Sequence, residues 1–277
     1  MVLSRDRSSG WQHAKLSGHE NEELVCELLR TDVESQERLK KIAKLEDAFF
    51  VDCDCGGLHE TDIPSVMGGK TKNKADLTAR FSNGRMVGVS VKKSLSGQVY
   101  LIKDDTFVKG MEVQYGIVIP PIVKRAVKLF WGSASDTIDI IKQYSMDPEI
   151  RAYELHKNRL TADTLKKYDE SLYDALRDWF MENIYNITDF CFSRGLALSP
   201  DDSASVIWYK NMLGEHEVDY MQNINDLCAR AEAHKTDISY GQRNGGTVIN
   251  LPFGFVQWHQ ACMQFHHKYD SIVKLWQ

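Results

Sequence analysis

No run of the sequence is long and apolar enough to suggest a membrane span, and no signal-peptide pattern follows Met1, so a cytoplasmic protein is expected. A cysteine framework is lacking too. Cys26, Cys53, Cys55, Cys191, Cys228 and Cys262 fall at no regular spacing, which argues against a disulfide-built scaffold and fits reduced thiols in a cell interior. There is no basic excess: a net charge of −5 argues against a non-specific polyanion binder. What remains is 277 residues of 43% hydrophobic composition, enough for a single large domain over 1–277 or a domain with a subdomain.

The charge is unevenly spread. Acids predominate from Gly18 to Asp62, whereas Lys70 to Lys93 holds seven Lys or Arg and a single acid, Asp76. An acidic chain with one basic strip suits an enzyme that must leave DNA as well as find it. In that strip the basic approach Lys70-x-Lys72-x-Lys74 runs into an alternating segment, Asp76-Leu77-Thr78-Ala79-Arg80-Phe81. Asn83-Gly84 then reverses the chain into Met86-Val87-Gly88-Val89-Ser90-Val91-Lys92-Lys93, and Asn-Gly between two β-prone runs is a strong hairpin signal.

An aspartate and a lysine on neighbouring strands suit phosphodiester hydrolysis. The aspartate holds Mg²⁺ and the lysine positions the attacking water. Register is the test, because a slip of one residue moves every side chain to the other face. With a plain two-residue turn Ser82 faces Arg85 and Asp76 faces Val91, so Asp76 points away from Ser90 and Lys92. The chemistry requires a longer loop with Gly84 as a left-handed bulge residue, or a bulge or strong twist near Asp76.

A strand-borne Asp76, a β turn and then Ser90-x-Lys92 resembles the site of type II restriction endonucleases of the PD-(D/E)xK superfamily, written Asp, turn, (Asp/Glu/Gln/Asn)-x-Lys. The resemblance implies a mixed β-sheet flanked by helices, an α/β fold with a helical insertion. It makes Asp76 the metal-binding acid and Lys92 the lysine, and puts Ser90 where the family usually carries Glu or, in some four-base cutters, Gln or Asn. A hydroxyl is a weaker ligand for a hard cation than a carboxylate. Metal affinity is therefore expected to be low, with Mg²⁺ resting on Asp76, the Val91 carbonyl, a substrate phosphate oxygen and waters. Gly18-x-x-Asn21-Glu22, in an amphipathic helix over Ser17–Leu29, resembles the opening helix of some four-base cutters and makes Glu22 or Glu23 a supplementary ligand through water.

Cys53-Asp54-Cys55 with His59 is too closely spaced for the usual zinc knuckle, and a loop after a strand at 48–51 is the plainer reading. After the hairpin, a Ser/Gly/Gln loop and a strand resemble what several restriction enzymes place after their lysine, which would give Ser94 and Ser96 a phosphate and Gln98 a base edge. A polar loop with no role beyond the turn is the alternative. Helical spacing runs through 123–131, 135–144, 147–156, 161–169 and 172–192, with Ser135 and Thr161 at helix starts, so 121–195 reads as a helical subdomain. Strand character returns at 204–209 and around 218–221, before a helix at 224–233.

The tail over 236–268 is polar, glycine-rich, aromatic and poor in acids, a second surface for DNA. Its Met263-Gln264-Phe265 resembles the ending of the MspI-like four-base cutters. That likeness implies base contacts from Arg243, Asn244, Gln257, His259 and Gln260, with Arg suited to guanine and Asn or Gln to adenine. DNA-binding residues are thus expected at Lys70, Lys72, Lys74, Lys93, Ser94, Ser96, Gln98 and in the tail.

The resemblance implies a Mg²⁺-dependent, sequence-specific double-stranded DNA endonuclease, working as monomer or homodimer at a short palindrome. It would leave a 5′-phosphate and be accompanied by a cognate DNA methyltransferase. A repair or structure-specific nuclease of the same fold is the alternative within catalysis. A DNA-binding protein that has lost cleavage is the alternative outside it, with Ser90 in place of an acid as its best argument.

Overall fold

Apolar residues at every second position of Leu77–Phe81 and Met86–Lys92 give two strands with one oily face each, and the first part of the fold is assembled on that face. The structure, a computed structural model, describes residues 7–56, 62–214, 216–243 and 246–277, as backbone alone over 7–15. The chain divides into two compact units, Met1–Leu95 with Phe192–Asp226 and Ser96–Cys191 with Leu227–Gln277.

The first unit opens with helices α1 (Arg7–Thr31) and α2 (Val33–Ile42), followed by strands β1 (Phe50–Cys55), β2 (Asp62–Pro64), β3 (Lys70–Lys72), β4 (Leu77–Phe81) and β5 (Met86–Lys92). The chain then enters the second unit through β6 (Ser96–Ile102). Helices α3 (Asp104–Tyr115), α4 (Pro121–Trp131), α5 (Thr137–Tyr144), α6 (Pro148–Lys157), α7 (Ala162–Tyr168), α8 (Glu170–Glu182) and α9 (Ile184–Phe192) follow. Strands β7 (Val206–Lys210) and β8 (Asp219–Asn223) belong again to the first unit, and α10 (Ile224–Ala233) leads back to the second. There β9 (Ser239–Arg243), β10 (Gly246–Leu251), β11 (Gly254–His259), β12 (Cys262–Lys268) and α11 (Tyr269–Lys274) complete the chain.

The sheet of the first unit runs β1-β4-β5-β7-β8 and is mixed, because β7 lies parallel to β5 while the other pairs are antiparallel. Leu77, Ala79 and Phe81 of β4 and Val87, Val89 and Val91 of β5 share one core with Val25 and Leu29 of α1 and Leu39 of α2. Asp76, Thr78, Ser90 and Lys92 alternate onto the opposite face. Gly88 is required for the parallel pairing. A Cβ there would collide with the Ser203 carbonyl and stand 3.0 Å from Ala75 Cβ, and Ser205 N–H donates to Gly88 O at 2.8 Å.

The second unit has an antiparallel sheet in the order β6-β12-β11-β10-β9. Phe265 on β12 meets Phe107 of α3 at 5.4 Å between ring centroids, and Phe107 in turn packs edge-on against Trp179 and Phe190. Helical residues 121–191 fall in this unit together with the sheet.

Two expectations are corrected, and one helix is added. The helix expected over 172–192 is two helices, because Asn183 places both its N–H (3.1 Å) and its Nδ2 (2.9 Å) on Trp179 O and ends α8. The first strand lies at Phe50–Cys55, so Cys53-Asp54-Cys55 is strand rather than loop. Helix α3 was not anticipated; it starts after Lys103, which provides no side-chain cap. Among the described residues no helix is long and apolar enough to cross a membrane.

Candidate active site

The β4–β5 turn decides whether Asp76 meets its expected partners. Phe81 N–H donates to Arg85 O at 3.0 Å and Gly84 N–H to Phe81 O at 2.9 Å, so the loop is Ser82-Asn83-Gly84 with Gly84 left-handed at φ 79°. This is the three-residue turn with a glycine bulge, and it shifts the register by one from that of a two-residue turn. The pairs are Leu77↔Val89 and Thr78↔Gly88. Asp76 N–H donates to Val89 O at 2.9 Å, and Asp76 stands across from Ser90.

The side chains follow. Asp76 Oδ2 accepts from Val91 N–H at 2.7 Å and from the Ser90 hydroxyl at 3.2 Å. Lys92 Nζ donates to Ser90 Oγ at 2.6 Å and to Val91 O at 3.3 Å, and stands 3.9 Å from Asp76 Oδ2. Ser90 is therefore a bridge: it takes a hydrogen from the ammonium and gives its own to the carboxylate. Its own burial, 3% exposed, fixes that bridge, while Lys92 and Asp76 keep 16% and 27% of their side chains open.

Helix α1 brings Glu22 to the same cluster. Burial pushes the Glu22 carboxyl above the ordinary carboxylate range, and the charge of Asp76 pushes it further. His19 opposes both, with Nδ1 3.0 Å from Glu22 Oε2 one turn away. The fully buried Asn21 anchors the helix: Nδ2 donates to Lys210 O at 3.0 Å and Oδ1 accepts from Met212 N–H at 2.7 Å. Neither His19 nor this tie was singled out from sequence. Glu23, the other acid considered in this helix, is exposed.

The donor set decides which ion fits. Among the described residues no group of three or more His, Cys, Asp or Glu side chains stands together as a metal site. The bonds from Val91 and Ser90 and the approach of Lys92 all fall on Asp76 Oδ2, which leaves Oδ1 as a ligand atom, with Glu22 and the Val91 carbonyl as further hard oxygens. The carbonyl already accepts from Lys92 and has a second lone pair. So sparse an oxygen set suits Mg²⁺, which keeps several waters.

The residues expected at DNA separate between the units. In the first, Lys70 is exposed, Lys72 pairs with Asp62 at 2.7 Å, and Lys74 is half-buried. Lys93 Nζ donates to Ser17 Oγ at 3.2 Å, its carbonyl lies 2.8 Å from His216 Nε2, and Ser94 is exposed. In the second, Ser96 and Gln98 are exposed on β6, and Gln98 begins a polar ladder across the sheet. Gln264 Nε2 donates to Gln98 Oε1 at 2.7 Å and Gln257 Nε2 to Gln264 Oε1 at 2.8 Å, with His266 Nε2 at 3.2 Å from Gln257. Arg243 stacks over Phe255 at 3.9 Å, and Phe255 lies flat on His266 at 4.6 Å. Burial pushes His266 down to about 4, helped by Arg243 and His259. His259 and Gln260 are exposed at the β11–β12 turn, where Gln260 and Ala261 both take positive φ. Gln264 and His266 had no expected role. Asn244 and His59 lie outside the described residues.

No protein-family model and no curated protein matches the chain. Among solved structures, the crystal structure of restriction endonuclease MspI in complex with its cognate DNA is similar to it, at 15% sequence identity and a TM-score of 0.45, over 92% of this chain and 87% of that one.

Proposed function

We propose that the chain is a Mg²⁺-dependent endonuclease of double-stranded DNA, of the type II restriction class and the PD-(D/E)xK kind. One observation carries the reading. The bulged turn at Gly84 brings Asp76, Ser90 and Lys92 onto one end of a mixed sheet, where Glu22 feels the charge of Asp76.

Mg²⁺ would be held by Asp76, the Val91 carbonyl and Glu22, directly or through water, and supplies neutralisation of the phosphodiester and a more acidic water. The chain's own residues do the rest. Lys92, aimed by the Ser90 hydroxyl, orients the attacking water and holds a phosphate oxygen. Asp76 is fixed in turn by Val91 N–H and Ser90, so the acid and the lysine keep their spacing before substrate arrives. In-line attack with departure of the 3′-oxygen leaves a 5′-phosphate. Lys70 and Lys74 are suited to phosphate, and the ladder of Gln98, Gln264 and Gln257 offers both donors and acceptors to a base edge.

Ser90 in the place of a second acid favours one other reading, a DNA-binding protein without cleavage. Cleavage by the wild type, compared with Asp76→Ala and Lys92→Ala, decides between the two. Each should abolish Mg²⁺-dependent cleavage while DNA is still retarded in a native gel; undiminished cleavage by either variant removes the site assignment.

A further inference from the structure

Two cysteines far apart in sequence meet in the core of the first unit. Cys26 on α1 and Cys53 on β1 are 27 positions apart, and their sulfurs lie 2.9 Å from each other. Each also faces the other's backbone, Cys26 Sγ at 3.6 Å from Cys53 O and Cys53 Sγ at 3.4 Å from Cys26 O. Both are buried, at 1% and 0% exposure, so neither thiol has water to turn to. A disulfide needs sulfurs about 2.05 Å apart, so closure requires the two sulfurs to approach by roughly 0.9 Å.

The surroundings make one thiol more reactive than the other. Arg30, one turn after Cys26, donates from Nη2 to Cys53 O at 2.6 Å and from Nε to Asp52 Oδ1 at 3.2 Å, which sets its guanidinium beside β1. The hydrogen bond shared with Cys26 lowers the Cys53 thiol below its usual range, and Arg30 adds to that; the same bond, with burial, pushes Cys26 up. A thiolate stabilised by a cation and a thiol donor is the nucleophile of sulfur oxidation.

We propose that Cys26 and Cys53 are a site of reversible oxidation, closing to a disulfide that pins α1 to β1. Hydrogen peroxide is the oxidant. The Cys53 thiolate attacks one peroxide oxygen and the O–O bond breaks, giving Cys53 sulfenic acid and hydroxide, which takes up the proton that Cys53 had lost. The Cys26 sulfur then attacks the sulfenic sulfur and the S–S bond forms, while the departing hydroxide leaves as water with the Cys26 proton. Two electrons pass from the sulfurs to the peroxide, and a dithiol reductant reverses the step. Glu22 lies one turn ahead of Cys26 on the same helix, so the bond tethers the helix that presents it. The cross-link itself does not depend on the nuclease reading.

The test exposes the full-length folded protein to hydrogen peroxide, then alkylates it under denaturing conditions without reductant and maps its peptides by mass. The expected result is a loss of two of the six alkylatable thiols, recovery of one cross-linked peptide pair containing Cys26 and Cys53, and full reversal by dithiothreitol. The same pair should form in Cys55→Ser, which retains both partners. Six alkylated thiols after peroxide, a bond from Cys26 to Cys55 instead, or irreversible sulfinic acid at Cys53 each overturns the proposal.

Discussion

Ser90→Asp returns a second carboxylate to the site, and its effect can be worked out from two distances. At an effective dielectric of about 20, a charge 3.2 Å from Asp76 Oδ2 is repelled by roughly 5 kcal/mol, and one 2.6 Å from Lys92 Nζ is attracted by roughly 6 kcal/mol. The two nearly cancel, so burial of the new carboxylate at a position 3% exposed decides, and the metal-free variant should unfold at lower urea than the wild type. A bound cation changes that balance, since both acids are drawn to it and repulsion between them no longer counts against binding. One more charged oxygen in so sparse a set should tighten divalent-ion binding at least about tenfold, about 1.4 kcal/mol. Calorimetric titration of Mg²⁺ into the protein without DNA measures it. Wild type should bind weakly and Ser90→Asp clearly more tightly; equal affinities would mean that the ion is not held between Asp76 and residue 90.

Gly88→Ala should cost about 1–3 kcal/mol in urea unfolding, because the new methyl group meets the Ser203 carbonyl and the β5–β7 pairing must give way. An unchanged midpoint would mean that the strands can separate freely there. For Glu22→Gln the sign follows from the raised carboxyl. The folded protein holds that proton more tightly than the unfolded chain, so wild type pays for a buried charge at neutral pH and recovers as pH falls through the Glu22 pKa. The variant should therefore melt no lower than wild type at neutral pH and lose its relative advantage towards about pH 4. Its Mg²⁺-dependent cleavage should fall by about 10–100-fold, as expected of a ligand acting through water.

The hairpin was legible because its signal is local: Asn83-Gly84 between alternating runs allows little else. Its register was legible only as a condition, since the two-residue and three-residue turns share the same dipeptide and only backbone hydrogen bonds distinguish them. The Ser17–Leu29 helix could also be read from spacing, within what the structure extends to Arg7–Thr31. What was hidden depends on contacts far apart in the chain. Asn21 bonds Lys210, 189 positions away; Cys26 meets Cys53; and the glutamine ladder needs β6 beside β12, which joins Gln98 to Gln264 across 166 positions. No periodicity encodes such pairings. Helix α3 escaped notice for a local reason, as neither a capping side chain nor a clean apolar stripe marks its start. In α8 and α9 the three-and-four spacing continues across Asn183, and the break lies in one side chain's preference for a carbonyl four residues back.

The most direct measurement is to incubate the purified protein with phage DNA and Mg²⁺ and to separate the products on a gel. The account predicts discrete, reproducible fragments with 5′-phosphate ends, absent when the ion is chelated. DNA that stays intact yet is retarded in a native gel would contradict it, because Asp76, Ser90 and Lys92 would then be assembled without doing chemistry.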